Sequence, residues 1–141
     1  MRRYLVVGNL TLAGADLWSA IHERLGGEPC AFHVLVPATH PVSGGFWTEA
    51  EVVADAQERL DRALARLRRL GAEATGEVGD IRAIDATLEA IAAQDYDEII
   101  VSTLPPRASR WLRLDLVSRL RRAVDVPVTH VIGDPEPAGL H

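Results

Sequence analysis

Five short runs of apolar residues alternate with longer segments in which apolar positions recur every three or four residues. Such runs are typical of strands buried on both faces, and the longer spacing is typical of helices that cover a sheet. We expect strands at residues 4–7, 31–36, 72–78, 98–102 and 127–132. Because no hairpin signal joins the strands, the pattern predicts right-handed crossovers and one parallel sheet with helices on both faces.

Apolar stripes and end signals predict the first three helices. In the first, Leu17, Ile21 and Leu25 recur at four-residue spacing before Gly26 and Gly27. The second starts after Thr48, where Glu51 can close a capping box, and ends at Leu70 before Gly71. Its predicted buried stripe is Val53, Leu60, Leu64 and Leu67. In the third helix, we expect Asp80 to be the N-cap and the buried stripe to be Ile81, Ile84, Leu88 and Ile91.

The segment 97–124 contains a buried strand, a loop with two prolines and one arginine-rich helix. Its loop follows a strand of a parallel sheet, so it lies at the carboxyl edge, where open α/β folds bind their ligands. The residues themselves do not determine the order of the strands. They do predict a three-layer α/β domain with its ligand site at that edge.

Composition restricts the class of protein. With 141 residues, 48% hydrophobic and 25% charged, the chain fits one soluble domain, which we place at residues 1–133, followed by a mobile tail at 134–141. A net charge of −5 argues against general nucleic-acid binding. The first apolar run ends at Val7, too short for a membrane span or a signal-peptide core, so we expect a cytoplasmic protein without membrane partners.

Several common catalytic and binding motifs are absent from the sequence. It contains no Walker-type phosphate loop, no G-x-G-x-x-G, no G-x-S-x-G and no H-E-x-x-H, and the lack of lysine also excludes a receiver-type site. Cys30 and His33 are three residues apart on a strand, which puts them on opposite faces and makes a catalytic pair improbable. We therefore predict no catalytic set and no metal site, and lean against an enzyme.

Four segments in this order resemble the universal stress protein family of the adenine nucleotide alpha-hydrolase-like superfamily. They are YLVVGN, FHVLVP, the run from GEVGD to YDEIIVST, and VDVPVTHVI. The resemblance covers the chain to about Gly133. It implies a five-stranded parallel sheet of order 3-2-1-4-5 and a homodimer formed through the last strand, residues 126–132, with Val128 or His130 at the two-fold contact.

The chain departs from the motifs of ATP-binding family members. Asn9 is nearest to the position of their aspartate, and their G-x-x-G-x9-G-[ST] loop is replaced. Ser102 or Thr103 takes the first glycine position, Pro105 or Pro106 the second, and Asp115 or Leu116 the third. Proline has no N–H and cannot adopt the positive φ of glycine. We therefore expect no ATP in the usual pose of the family.

The arginines after the fourth strand allow two interpretations. Arg107, Arg110 and Arg113 could provide side-chain forks for a phosphate or carboxylate where the backbone site was lost. Alternatively they form a solvated helix face, with Ser109 or Asp115 as a cap and Trp111 covering the core; this is the interpretation we favour. The predicted ligand-binding set is Gly8, Asn9, Val36, Ser102, Thr103, Arg107, Ser109, Arg110 and Arg113.

The resulting functional prediction is a universal stress protein-like binding or regulatory module without a required cofactor. The alternative is an ATP- or AMP-binding protein that uses the arginines and has weak hydrolase activity. A third possibility is an arginine segment that docks an acidic partner without any small molecule. Phe46 and Trp47 could cover the site or pin their loop, His40 is interpreted as a loop residue, and His33 and His130 as partly buried, hydrogen-bonded histidines.

Overall fold

The computed structural model describes residues 1–38, 46–113 and 115–134. The strands are Arg2–Val7 (β1), Cys30–Pro37 (β2), Glu73–Gly79 (β3), Glu98–Thr103 (β4) and Val128–Ile132 (β5). The helices are Ala15–Leu25 (α1), Glu49–Arg69 (α2), Ala83–Ala93 (α3), Arg110–Arg113 (α4) and Leu116–Ala123 (α5). The tail beyond residue 134 and the loop that contains His40 lie outside the described residues.

The five strands form one parallel sheet in the order β3-β2-β1-β4-β5, which confirms the predicted fold class and strand order. The central strand β1 pairs with β2 on one side and β4 on the other, so that Val7 lies between Leu35 and Val101. The chain reverses its direction across the sheet between β1 and β4. Ligands of open α/β sheets bind in the crevice at such a reversal.

Alternating strand residues supply the two apolar cores of the domain. Tyr4, Val6 and Phe32 face the layer formed by α1 and α2. Leu5 and Val101 face the layer formed by α3, α4 and α5. This period of two arises because successive side chains of a strand point to opposite sides of the sheet.

Helix α2 begins and ends where its sequence signals predicted. The Thr48 hydroxyl accepts from the backbone N–H of Glu51, whose carboxylate accepts in return from the Thr48 backbone, and Gly71 follows the helix with a φ of 89°. The predicted stripe was wrong in one place, because Val53 is 42% exposed and Val52 is buried instead. Alanines complete the buried stripe, which consists of Val52, Ala56, Leu60, Ala63 and Leu67.

Helix α3 turns a different face to the sheet from the one predicted. Its buried residues are Ala83, Ala86, Thr87 and Ala90. Ile81 and Leu88 are 45% and 39% exposed, while Ile84 and Ile91 pack only partly against the core. Small side chains let the helix approach the strands closely: a Cβ placed on Gly79 would lie 3.0 Å from the Cβ of Ala86. The larger residues are therefore displaced to the flanks.

The start of α3 also differs from the prediction. The N-cap position belongs to Arg82, which makes no side-chain capping bond. Asp80 lies two residues earlier, and its Oδ1 accepts from the Arg82 backbone N–H at 2.8 Å. This bond and the contact with the Arg82 side chain lower the pKa of Asp80. Asp80 thus stabilises the turn that leads into the helix.

The predicted single arginine-rich helix is two helices, α4 and α5. Asp115, just before α5, has a left-handed backbone with φ 56° and ψ 36°, which an α-helix cannot include. Ser109 is the side chain that caps, since its Oγ accepts from the Leu112 N–H at 3.2 Å, whereas Asp115 makes no side-chain capping bond. Trp111 is 8% exposed and covers the core as expected.

The single cysteine of the chain is a buried structural residue. Cys30 is 5% exposed, and its thiol donates to the carbonyl oxygens of Arg24 and Glu28, both at 3.1 Å. Burial raises the pKa of the thiol. Cys30 packs in the core on the α1 and α2 side, while His33 contacts Tyr96 of the other core, so the two lie on opposite faces as predicted.

Candidate functional site

The loop after β1 is folded tightly onto the end of β4 at the carboxyl edge of the sheet. Gly8 donates its N–H to the Leu35 carbonyl oxygen at 3.2 Å. A Cβ on Gly8 would lie 3.0 Å from Leu12 Cδ2 and 3.3 Å from the Cβ of Ser102. Only glycine therefore allows this approach without displacing its neighbours.

Asn9 connects three elements at this edge. Its side chain is 2% exposed, and Nδ2 donates to the Pro37 carbonyl oxygen at 2.9 Å. Arg59 of α2 donates to Asn9 Oδ1 at 3.4 Å and also pairs with Asp55. Both ends of the Asn9 amide are thus engaged within the protein.

The hydroxyl groups at the end of β4 are also engaged. Ser102 Oγ lies 2.5 Å from Thr11 Oγ1, and both residues are almost completely buried. Thr103 Oγ1 contacts Nε2 of His130 at 2.8 Å and donates to the Leu104 carbonyl oxygen. Thr11 was not among the predicted site residues, although a hydroxyl in the loop after β1 was a signal that could have identified it.

The loop between β4 and α4 makes its hydrogen bonds internally. The Pro105 carbonyl oxygen accepts from the N–H groups of Ala108 and Ser109, at 2.9 and 3.0 Å. Pro105 and Pro106 have no N–H to offer. A phosphate-binding backbone needs several adjacent N–H groups that point toward one anion. This loop has directed two of its N–H groups to its own carbonyl oxygen instead.

The predicted arginines are only partly described. Arg107 is exposed at the tip of the loop. Arg110 and Arg113 are the first and last residues of α4, and their side chains lie outside the described part of the chain. The proposal that the three guanidinium groups share a ligand stays a prediction.

The structure does bring the other predicted residues together at one edge. Gly8, Asn9, Ser102 and Thr103 are buried there beside Val36, which is 0% exposed. Ser109 is also buried, as the cap of α4. These six residues are therefore buried at this edge, with the side chains of Asn9, Ser102, Thr103 and Ser109 hydrogen bonded within the chain, and ligand binding there remains a prediction.

The remaining candidates from the sequence have ordinary structural surroundings. His33 is partly buried, with Nδ1 2.8 Å from Thr75 Oγ1, and His130 is partly buried against Thr103, as interpreted from the sequence. Phe46 is exposed and Trp47 partly buried, which leaves both interpretations of their loop open. Within residues 1–38, 46–113 and 115–134, no three His, Cys, Asp or Glu side chains are grouped to hold a metal ion.

No helix in the described ranges has the length and apolar character needed to cross a membrane. No protein family model matches the sequence, and no curated protein matches it.

Comparison with solved structures shows universal stress proteins with the same architecture. A universal stress protein family member from Burkholderia pseudomallei has a TM-score of 0.59 at 17% identity, covering 92% of this chain and 94% of its own. A family member from Arabidopsis thaliana, with AMP bound, has a TM-score of 0.65 at 11% identity, covering 99% and 97%. The universal stress protein of Archaeoglobus fulgidus in complex with dAMP has a TM-score of 0.56 at 20% identity, covering 93% and 97%. The chain therefore has the universal stress protein fold, as its sequence resemblance predicted.

Proposed function

We propose that the protein is a binding or regulatory module of stress response or signalling, acting in the cytoplasm, that does not hold ATP in the pose usual for ATP-binding universal stress proteins. One observation carries this proposal: the loop after β4 bonds to its own Pro105 carbonyl oxygen through Ala108 and Ser109. The loop is held in this form by the Ser109 cap on α4. A nucleotide in the usual pose would require those bonds to break.

The neighbouring edge supports the same conclusion. The Thr11 and Ser102 hydroxyls bond to each other, and Gly8 packs against Leu12. A phosphate group placed there would have to replace the hydrogen bond between these two buried hydroxyls, and such a bond contributes about 0.5 to 1.5 kcal/mol. Binding of a nucleotide at this edge would therefore give up an existing internal bond for each new one.

NMR titration with ATP and AMP tests the proposal. We expect neither nucleotide to shift the backbone amide signals of residues 102–109, whatever it binds elsewhere on the protein. The double variant Pro105→Gly/Pro106→Gly is the matched comparison, because it restores N–H groups and conformational freedom to the same loop. Saturable ATP binding by the natural chain, with shifts in residues 102–109, would overturn the proposal.

A second candidate function is adenine-nucleotide binding through arginine side chains, with weak hydrolase activity. It is favoured by the AMP and dAMP bound to two structural relatives and by the exposed position of Arg107. It predicts binding of ATP or AMP that is lost in Arg107→Ala and Arg110→Ala, together with slow phosphate release. Binding of any polyanion with equal strength would instead indicate an acidic partner docking on the same segment.

We further propose a homodimer formed through β5, which is an edge strand of the sheet. Its last residue, Ile132, is 44% exposed, and an exposed edge can pair with a second copy. Val128 and His130 are the residues predicted at the contact. In the single chain Val128 is 9% exposed and His130 is partly buried. Analytical ultracentrifugation should show a dimer that Ile132→Asp weakens and Leu88→Asp on α3 leaves unchanged. A monomer at all concentrations would contradict the proposal.

A further inference from the structure

An open cleft of about 250 Å³ lies between α2 on one side and Trp18 of α1 with the preceding residues Leu12 and Ala13 on the other. None of its lining residues belongs to the loop that follows β4. Its apolar part consists of Leu12, Ala13, Trp18, Ala63 and Ala65. Its charged part consists of Arg59, Arg62, Arg66 and Arg69. The cleft thus combines a small apolar floor with a strongly cationic side.

The four arginines follow one line along α2. Their positions, 59, 62, 66 and 69, are separated by three, four and three residues, which places them on one face of a helix. The line starts at the carboxyl edge of the sheet, where Arg59 contacts Asn9, and continues down the cleft. Arg59, at the start of the line, is paired with Asp55, so the guanidinium groups considered for a ligand are those of Arg66 and Arg69 farther along the cleft.

Arg66 is held in a fixed position by an aromatic ring. Its guanidinium carbon lies 4.2 Å from the centre of the Trp18 ring. That ring is 3% exposed and is fixed by a hydrogen bond of 2.7 Å from its Nε1 to the Leu12 carbonyl oxygen. A guanidinium stacked on a rigid indole loses little freedom when its N–H edge binds an anion.

The last two arginines of this line, Arg66 and Arg69, form no ion pair with a carboxylate in the part of the chain that is described. No described carboxylate lies within 4.0 Å of the guanidinium of Arg66 or Arg69. Arg24, by contrast, does form an ion pair, with Glu98 at 2.6 Å. Arg66 and Arg69 therefore present forks of N–H donors to the cleft without a competing internal acid.

We propose that this cleft binds a small molecule carrying a phosphate monoester or diphosphate group, held by Arg66 and Arg69. Two adjacent guanidinium groups can each donate to a phosphate group that carries two negative charges. A carboxylate ligand, with one negative charge, would match them less well. The volume of the cleft is near the lower limit of ligand pockets, which fits a compact anion. This site is independent of the function proposed for the β4 loop.

Calorimetric titration with inorganic pyrophosphate at constant ionic strength tests the site, because this probe has no base or ribose. We expect saturable binding that weakens by about tenfold or more in Arg66→Gln and in Arg69→Gln. Arg66→Lys, which keeps the charge and loses the fork, should weaken binding similarly. Arg122→Gln is the matched control: it removes one exposed arginine from α5 on the opposite face and should leave the affinity unchanged.

NMR locates the bound probe independently of affinity. The Trp18 indole N–H signal, assigned through Trp18→Phe, should shift during the titration, and the Trp111 signal should not. Four outcomes would overturn the inference: no saturable binding, equal loss in Arg122→Gln, tighter binding of citrate than of pyrophosphate, or shifts confined to residues 102–113. Unchanged amide spectra of the variants without probe show that each remains folded.

Discussion

The hydroxyl oxygens of Thr11 and Ser102 lie 2.5 Å apart, although the residues are 91 positions apart in the sequence. Both side chains are almost fully buried at the carboxyl edge. The sequence resemblance predicts either Ser102 or Thr103 at the first glycine position of the nucleotide loop in universal stress proteins. The Ser102 hydroxyl joins the β1 loop to β4.

Breaking this pair should destabilise the domain. Ser102→Ala leaves the Thr11 hydroxyl buried without its partner, and we expect the free energy of unfolding to fall by about 1 to 2 kcal/mol. The double variant Ser102→Ala/Thr11→Val should lose less free energy of unfolding than the two single variants together. The reason is that Thr11→Val removes the hydroxyl that Ser102→Ala leaves without a partner. Urea unfolding followed by circular dichroism measures all three variants. Additive costs would contradict a direct bond, and Ser118→Ala on the exposed side of α5 is the control.

The ion pair between Arg24 and Glu98 should be the most important one for stability among the described residues. Two bonds of 2.9 and 2.6 Å join the groups, and their side chains are only 17% and 11% exposed. We expect Glu98→Gln to lower the free energy of unfolding by about 2 to 3 kcal/mol, because it leaves a poorly hydrated guanidinium. Glu23→Gln is the matched control, since Glu23 lies 3.7 Å from the same arginine but is 79% exposed. Its cost should stay below about 0.5 kcal/mol.

The same pair should contribute to acid sensitivity. Burial raises the pKa of Glu98, but hydrogen bonds from Arg24 and Thr129 lower it by more, so that the net pKa lies below 4.5. The unfolded chain then takes up this proton first as the pH falls. The contribution is fully present above pH 4.5 and is lost through the folded pKa, so Glu98→Gln should flatten the loss of stability below pH 4.5. An unchanged acid profile would contradict this.

His130 should cause a separate loss of stability in a higher pH range. Burial, followed by the charge of Arg121, lowers the pKa of His130 below 6.5. Because the unfolded chain binds the proton at higher pH, stability should fall as the pH decreases from 6.5 toward the folded pKa. Unfolding measured between pH 7.5 and 5 should show a smaller decrease for His130→Gln, while His22→Gln, an exposed position on α1, should match the natural chain.

Close packing between α2 and the edge strand β3 depends on Gly76. A Cβ at this position would lie 2.5 Å from Leu60 Cδ1 and 2.7 Å from the Val34 carbonyl oxygen, a backbone atom. We expect Gly76→Ala to lower the free energy of unfolding by about 1 to 3 kcal/mol through overpacking. Gly27→Ala, where no atom lies within 4 Å, should change it by less than about 0.5 kcal/mol. If Gly76→Ala and Gly27→Ala lowered the free energy of unfolding equally, the neighbours of Gly76 would be able to move aside at little cost, and the prediction would be wrong.

The sequence was most informative where one local interaction determines the structure. The Thr48 and Glu51 capping box fixes the start of α2 without any long-range contact, and it was predicted correctly. The buried strand runs likewise predicted the parallel sheet, since only strands covered on both faces need such continuous apolar runs. Strand order came from the resemblance, because the residues alone are compatible with several orders.

Prediction was weaker where packing distance decides the outcome. The isoleucines of α3 have ideal helical spacing, but Ala83, Ala86 and Ala90 allow a closer approach to the sheet and occupy the core. Hydrophobicity patterns weight large residues and therefore select the wrong face. The break at Asp115 was missed for a related reason, because nothing in its local sequence forces a left-handed backbone.

The cleft on α2 was also missed. Its arginines lie on a face of α2 that the sequence pattern predicts to be exposed to solvent. Trp18 contacts Arg66 only because α1 packs next to α2. Sites formed by two helices that pack on the same face of a sheet depend on tertiary contacts. A local motif search cannot find them.

Because Cys30 is buried, the protein can be labelled selectively at a cysteine introduced on its surface. The Cys30 thiol is the only one in the chain and is both enclosed and hydrogen bonded, so a maleimide dye should react with it slowly. A second cysteine introduced at an exposed position, such as Ser19 on α1 or Ser118 on α5, would then carry the dye almost alone. Fluorophores could thus be attached to either layer without first removing the natural thiol.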